Sequence, residues 1–208
     1  MVINLIGVKE RMGITNIDDY FQKSSHVLSR LSNELPVVKK MAIGIFESQL
    51  NNCTLLIGGN GGSAADAEHF AGEMTCTFKD RGRRPFSAIS LTGNASAITA
   101  WVNDFEFDTY FARQVEAFGH SGDILFLIST GGGDRSNNAS INLVNAADVA
   151  LEKGMTVYSL VGKTGGELSK ISHEFIKVPS FETSIIQEAH IALIHAICLA
   201  LDNLTLEG

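Results

Sequence analysis

The chain has 208 residues, 45% of them hydrophobic and 19% charged, the balance of a soluble globular protein with one sizeable core. Its 16 basic and 23 acidic side chains give a formal charge of −7, which argues against a nucleic acid or an anionic membrane as the main partner. Three widely spaced cysteines form no disulfide or zinc pattern, so we expect a reducing cytoplasm. No run approaches about 18 consecutive apolar residues, so we expect no membrane span.

The first predicted elements are helices. Apolar residues recur at helical spacing over residues 14–52, which predicts two helices ahead of the first strand. We divide the chain into an N-terminal arm and helix, residues 1–37, and one domain, residues 38–208. Such an arm is typical of an oligomerisation element, but a helix pair packed on its own domain would show the same pattern.

Five short apolar runs follow, each ending in small or polar residues. Near-continuous apolar runs are typical of strands buried on both faces, as in parallel sheets. Interleaved with helical periodicity, they predict a doubly wound α/β fold with a mainly five-stranded parallel sheet in three layers. Ligands bind such sheets beyond the carboxyl ends of the strands. The runs are CTLLIGG, FSAISLTG, ILFLISTGGG, MTVYSLVGKTGG and EFIKVPS.

The loop Gly58–Ser63 lies between the first strand and a predicted helix. Glycines allow a sharp turn and a close approach to a ligand, and the N–H groups at the helix start can hold an anion. The spacing Gly59-x-Gly61-x-x-Ala64 also satisfies a relaxed dinucleotide fingerprint, but the strand FSAISLTGN ends without the acidic residue that binds the ribose. The loop therefore favours a phosphate or sugar phosphate, and a purely structural turn remains an alternative.

The third strand ends in a second loop of small residues, Ser129–Gly133, and a helix is predicted to begin near Ser140. Hydroxyls and backbone amides at a strand end suit a small phosphomonoester without a metal. Two such loops on neighbouring strand ends strengthen the anion interpretation. For residues 134–137 we expect a flexible surface loop.

Two helices each carry a pair of polar side chains that could form a site. His69 and Glu73 are four residues apart and share one helical face, where they could bind a divalent metal or act as base and orienting group. Gln187 and His195 lie about 80° apart around the last helix, two turns along, so both can line one cavity. His190 lies on the other side of Gln187. Polar side chains in this apolar helix need either core hydrogen bonds or a functional site.

The runs GGNGGSAADAEHFAGEM, VNDFEFDTYF and IQEAHIALIH together resemble the sugar isomerase (SIS) domain family, phosphoheptose isomerase type, over essentially the whole chain. The resemblance implies a flavodoxin-like fold and homotetramers with active sites at subunit boundaries. It also implies conversion of sedoheptulose 7-phosphate to D-glycero-D-manno-heptose 7-phosphate, for the heptoses of lipopolysaccharide or capsule. Two alternatives are a non-catalytic SIS-domain protein that binds a replication-initiation or other partner protein, and a sugar-phosphate-sensing module.

The same resemblance implies roles for individual residues. Glu73 matches the general base and His195 the general acid that move protons through an enediol. One zinc ion per subunit would be held by His69, Glu73, Gln187 and His195. Contacts to the sugar phosphate are implied for Asn60, Gly61, Ser63, Asp104, Ser129, Thr130, Ser140 and Gln187.

Two departures from the family pattern concern the phosphate loop and an arginine. The usual STSGNS loop is replaced by STGGGDRSNNAS, with residues 131–139 as an insertion, and Thr77 stands near the place of the family's arginine. A basic loop, residues 79–84, could be a solvated surface loop or an electrostatic guide for a sugar phosphate.

Overall fold

A computed structural model describes residues 17–206, so the first part of the predicted N-terminal arm lies outside the described residues. The arm continues as helix α1 (Ile17–Arg30), a 3-10 turn and helix α2 (Leu35–Leu50). The hydroxyls of Tyr20 and Ser24 on α1 donate hydrogen bonds to the carboxylate of Glu188 in the last helix. Both predicted helices therefore form, and α1 packs on its own chain.

The five predicted strands form one sheet in which every pair is parallel, in the order β2-β1-β3-β4-β5. This is the doubly wound arrangement expected from the apolar runs. Gly59 pairs with Ile128 and Ser129 pairs with Val161, so β1, β3 and β4 end side by side. The strands are β1 (Leu55–Gly59), β2 (Ala88–Ser90), β3 (Ile124–Ser129), β4 (Thr156–Val161) and β5 (Glu174–Lys177).

Helices cover both faces of the sheet and complete the three layers. Beyond α1 and α2, they are α3 (Gly62–Thr75), α4 (Ala95–Asp104), α5 (Tyr110–Phe118), α6 (Ile141–Glu152), α7 (Leu168–Ile171) and α8 (Thr183–Leu206). Phe126 of β3 points into a core shared with α2, α3 and α8, whereas Leu125 and Leu127 point to the opposite face, against α5 and α6. This alternation explains why β3 is apolar throughout.

Helix α8 has 24 residues and a mean hydropathy of 1.6, enough by length and composition to cross a membrane. The helix contains no run of about 18 consecutive apolar residues, because polar residues such as Glu188 and Asp202 interrupt it. In the fold, half of the most apolar stretch of α8 is buried, and the helix packs on α1, α2 and α3. Core helices of soluble proteins share these properties, and α8 carries the predicted Gln187 and His195 into the domain.

Candidate active site

The first strand-end loop turns sharply from β1 into α3. Gly61 has φ +56° and ψ −120°, a backbone conformation that only glycine adopts readily. A Cβ atom on Gly62 would lie 2.4 Å from Nε2 of Gln187, so this glycine lets α8 approach the loop closely. The sequence predicts free N–H groups at this helix start, but the N–H of Ser63 donates to the carbonyl of Asn60 at 3.0 Å and is not free for a ligand.

The two strand-end loops are joined by a reciprocal amide pair. Asn60 donates to Oδ1 of Asn142 at 2.9 Å, and Asn142 donates back to Oδ1 of Asn60 at 3.0 Å. Asn142 is buried in the first turn of α6. The sequence analysis missed this residue, since nothing in its local pattern separates it from other polar residues at a helix start. The pair fixes the loop after β1 relative to the loop after β3.

A cavity of about 250 Å³ opens between these loops and the start of α8. It brings together all the predicted substrate contacts except Asp104, and adds Thr183, which the sequence analysis missed. Ligand pockets span roughly 300–1,000 Å³, so this cavity fits the phosphate end of a sugar rather than all of it. Its lining residues are Asn60, Gly61, Gly62, Ser63, Ile128, Ser129, Thr130, Ser140, Thr183 and Gln187.

The two serines of the second loop have different tasks. The hydroxyl oxygen of Ser129 accepts the N–H of Gly132 at 3.0 Å, so it holds the turn after β3. Ser140 precedes α6 with a left-handed backbone, φ 48° and ψ 33°, and its side chain makes no capping hydrogen bond. The Ser140 hydroxyl therefore faces the cavity uncommitted to the helix, which is the arrangement an anion contact requires.

Residues 135–139 of the insertion at 131–139 are exposed, as expected of a surface loop, whereas Gly132 and Gly133 are buried. Hydrogen bonds within the insertion and to α6 hold it in place. The N–H of Asp134 donates to the carbonyl of Ala139 at 2.8 Å. Arg135 donates two hydrogen bonds to Asp148, at 2.8 and 2.9 Å. Together with Lys163 and other residues, the insertion lines a second cavity of about 700 Å³, which meets the first at Ser140.

His195 of α8 meets the His69–Glu73 pair of α3 beside the sheet. Nε2 of His69 lies 3.0 Å from Nε2 of His195 and 3.4 Å from Oε1 of Glu73. The ring of Phe78 stacks on His195, with 5.5 Å between centroids. Gln187 is two turns earlier in α8, and its side chain lies against Gly62 in the smaller cavity. Three of the four expected metal ligands therefore converge, and we call them the His–Glu–His cluster.

The donors of this cluster suit zinc by type and by spacing. Ligands of tetrahedral zinc lie about 3.3 Å apart when the zinc–nitrogen bonds are about 2.0 Å, close to the separations of His69 from Glu73 and His195. Within residues 17–206, however, no group of three or more His, Cys, Asp or Glu side chains is already arranged around one metal position. The cluster thus has the chemistry of a zinc site without its final geometry.

Two further ionisable side chains of α8 are buried and neutral. Burial raises the pKa of the Cys198 thiol to about 12, so it is neither a nucleophile nor a thiolate ligand near neutral pH. Burial also lowers the pKa of His190 to about 4, and Nε2 of its ring lies 3.2 Å from the carbonyl oxygen of Val161. Neither residue adds charge beside His195.

Comparison with known proteins identifies the fold and the class. The profile of the SIS domain matches residues 19–162. A phosphoheptose isomerase from Neisseria meningitidis is 44% identical over 76% of this chain and 79% of its own length. A probable phosphoheptose isomerase from Thermoplasma volcanium is 38% identical over 91% of this chain and 92% of its own. The chain belongs to the SIS-domain family of phosphoheptose isomerases.

Solved structures agree with this assignment to the phosphoheptose isomerase family. The Neisseria gonorrhoeae phosphoheptose isomerase has a TM-score of 0.82 at 36% identity, over 91% of this chain and 98% of its own. The Francisella tularensis phosphoheptose isomerase has a TM-score of 0.84 at 31% identity, over 92% and 99%. The predicted SIS fold and the predicted enzyme class, a phosphosugar isomerase, are confirmed.

One predicted contact of this SIS-family site lies apart from the rest. Asp104 is exposed at the end of α4 and accepts a hydrogen bond from Asn103 at 2.8 Å. It does not line the smaller cavity. Within one chain, Asp104 is therefore separate from the other predicted substrate contacts, and its role in binding the substrate stays a prediction.

Proposed function

We propose that this SIS-family enzyme converts sedoheptulose 7-phosphate to D-glycero-D-manno-heptose 7-phosphate. The observation that carries the proposal is that one pair of helices, α3 and α8, contributes both to the smaller cavity and to the His–Glu–His cluster. The first turns of α3 and α8 line the smaller cavity, and later turns of the same helices hold Glu73 and His195. The names of the relatives supply the sugar class, because those proteins are phosphoheptose isomerases.

The reaction moves a carbonyl from C2 to C1 of the sugar. The Glu73 carboxylate takes a proton from C1, and the C1–H electron pair forms the C1–C2 double bond of an enediol. His195 donates a proton to O2 as the carbonyl electrons move onto that oxygen. Proton return to C2 from Glu73, with loss of the O1 proton to His195, leaves the aldehyde at C1 and restores both side chains.

The smaller cavity would hold the phosphate end. Hydroxyls of Thr130 and Ser140 and the dipoles at the starts of α3 and α6 supply hydrogen bonds and partial positive charge to an anion. This local arrangement suits a protein with a formal charge of −7. It anchors the sugar so that C1 and C2 can reach the His–Glu–His cluster.

We also propose one zinc ion per subunit at the His–Glu–His cluster, with Gln187 as a fourth ligand. Because Glu73 and His195 are also the assigned base and acid, a metal held by both would have a dual or structural role, and as a Lewis acid it would polarise a substrate oxygen. The convergence of two imidazoles and a carboxylate supports the proposal. Gln187 occupies the smaller cavity in the structure, so its side chain would have to turn along α8 to join the cluster.

A cytoplasmic homotetramer with active sites at subunit boundaries completes the proposal, together with a product destined for lipopolysaccharide or capsule heptoses. Exposed apolar residues support a subunit contact: Ile17 and Phe21 on α1 are 54% and 65% exposed. A boundary near Asp104 would also give that carboxylate a site. Sedimentation or light scattering of the purified protein would show a monomer if this assembly is wrong.

The activity is tested by hydrogen exchange. Metal-replete protein is incubated with sedoheptulose 7-phosphate in deuterated water, and deuterium at C1 and C2 is followed by NMR. We expect exchange together with formation of the aldose. Absence of both in a folded, metal-replete sample would refute the isomerase proposal for this sugar.

A further inference from the structure

The basic loop at residues 79–84 contains one arginine that does not face solvent. The side chain of Arg83 is only 2% exposed, whereas its neighbour Arg84 is exposed. The guanidinium group lies 4.5 Å from the ring centroid of Phe86. Neither a solvated loop nor an electrostatic guide explains a buried cation, because burial costs free energy unless the charge is paired.

The guanidinium group of Arg83 donates hydrogen bonds to the last turn of α3. Nη2 donates to the carbonyl oxygen of Glu73 at 2.7 Å, and Nη1 donates to that of Met74 at 3.2 Å. Carbonyls in the last turn of a helix lack helical partners, and a cation there also offsets the helix dipole. Arg83 therefore holds the backbone of the residue to which we assign the role of base.

The same guanidinium reaches α8. Nε of Arg83 donates to Oδ1 of Asp202 at 2.9 Å, and the Asp202 side chain is 4% exposed. Asp202 follows His195 by seven residues, so the two lie on nearly the same face of α8, about two turns apart. One side chain thus joins the end of α3 to the helix that carries the proposed acid.

Asp202 also fixes the loop that covers His195. Its Oδ2 accepts the backbone N–H groups of Lys79 and Asp80, both at 2.9 Å. The residue before them is Phe78, whose ring stacks on His195. The buried carboxylate accepts hydrogen bonds at both oxygens, which is what a stable buried ion pair requires.

We propose that Arg83 and Asp202 are positioning residues that set the placement of Glu73 and His195. Neither is a catalytic residue, because each acts through backbone carbonyls, N–H groups and Phe78. The inference rests on the proposed isomerase function. A displacement of about 1 Å between acid and base can cost about a hundredfold in rate, so a small shift of α3 against α8 is sufficient.

The experiment compares Arg83→Met and Arg83→Lys with the control Arg84→Met, which removes an exposed arginine one position away. We expect Arg83→Met to lower kcat about thirty-fold or more, with KM within about threefold, because neither Arg83 nor Asp202 lines the smaller cavity. Arg83→Lys should recover part of the loss. Arg84→Met should match the unsubstituted enzyme in both parameters.

A readout independent of turnover is the NMR spectrum of the ring protons of His195, assigned by their loss in His195→Gln. The stacked Phe78 ring shifts these signals, so Arg83→Met should move them and Arg84→Met should not. This result supports the positioning role even if sedoheptulose 7-phosphate proves not to be a substrate.

The proposal is overturned if folded Arg83→Met or Arg83→Lys leaves kcat and the His195 signals unchanged. It is also overturned if the loss of kcat equals the fraction of unfolded protein measured by circular dichroism, since the residue would then only stabilise the fold. Where Arg83→Met does not fold, Arg83→Lys and Asp202→Asn are judged by the same two criteria.

Discussion

The smaller cavity and the His–Glu–His cluster lie on the same two helices but differ in the chemical groups that form them. Among the described residues, those that line the cavity are uncharged: backbone, hydroxyls and amides at strand ends. The cluster consists of ionisable side chains beyond the first turns of α3 and α8, with His69 42% and Glu73 21% exposed. Dipoles can bind an anion without changing protonation, whereas isomerisation needs groups that exchange protons. With the roles proposed for them, binding and proton transfer would occupy different parts of the two helices.

The largest expected effect breaks the cluster and leaves the cavity intact. Glu73→Gln keeps the size and polarity of the side chain but removes the base, so kcat should fall by about a thousandfold, within the range of general acid–base catalysis. The affinity for sedoheptulose 7-phosphate, measured by calorimetry, should change less than about threefold.

The matched variant Ser96→Ala, at an exposed position in the first turn of α4, should leave both parameters of this assay unchanged. If Glu73→Gln instead weakened binding as much as it slowed turnover, Glu73 would hold the substrate equally in ground and transition states. The separation between cavity and cluster would then be wrong.

A second prediction concerns His190, the histidine of α8 that belongs to neither region. Its pKa is about 4 in the folded chain and near 6.5 unfolded, so the unfolded state binds the proton more tightly. The stability that its neutral ring contributes is complete above pH 6.5 and is lost as the pH falls towards 4. The full loss is about 3 kcal/mol, from about 1.4 kcal/mol per pKa unit.

His190→Gln removes this titration while leaving an amide N–H that can reach Val161. Urea unfolding at pH 7.5 and pH 4.5 should show a smaller drop in the free energy of unfolding for the variant than for the original chain, by about 2 kcal/mol. Equal drops in both proteins would mean that the pKa of His190 is the same in the folded and the unfolded chain.

Much of the fold follows from local sequence. The five apolar runs predict five strands because continuous apolar residues suit a strand covered on both faces, and β3 shows this with Leu125 and Phe126 on opposite sides. The glycine loop and the four-residue spacing of His69 and Glu73 are equally local signals. They place both chemistries near the carboxyl ends of the strands.

What the sequence could not reveal depends on residues that meet only after folding. Four basic residues within 79–84 look alike, and Arg83 turns inward because Asp202, 119 positions away, is there to receive it. Similarly, Gln187 and His195 lie about 80° apart around α8, so from the sequence Gln187 could face either the cavity or the cluster. In the structure Gln187 faces the cavity, because Gly62 lets its side chain approach the loop closely. Long-range partners, rather than local patterns, select between such alternatives.

The smallest expected effect tests the cavity alone. Ser140→Ala deletes one hydroxyl, that of the residue with left-handed backbone before α6. One hydrogen bond to a charged group contributes about 1.5 kcal/mol, so KM should rise about tenfold while kcat changes little. Replacing sedoheptulose 7-phosphate by unphosphorylated sedoheptulose should erase the difference between variant and original, because only the phosphate contact is lost. A fall in kcat with unchanged KM would instead assign Ser140 to the chemical step, and the cavity could no longer be regarded as a binding region distinct from the cluster.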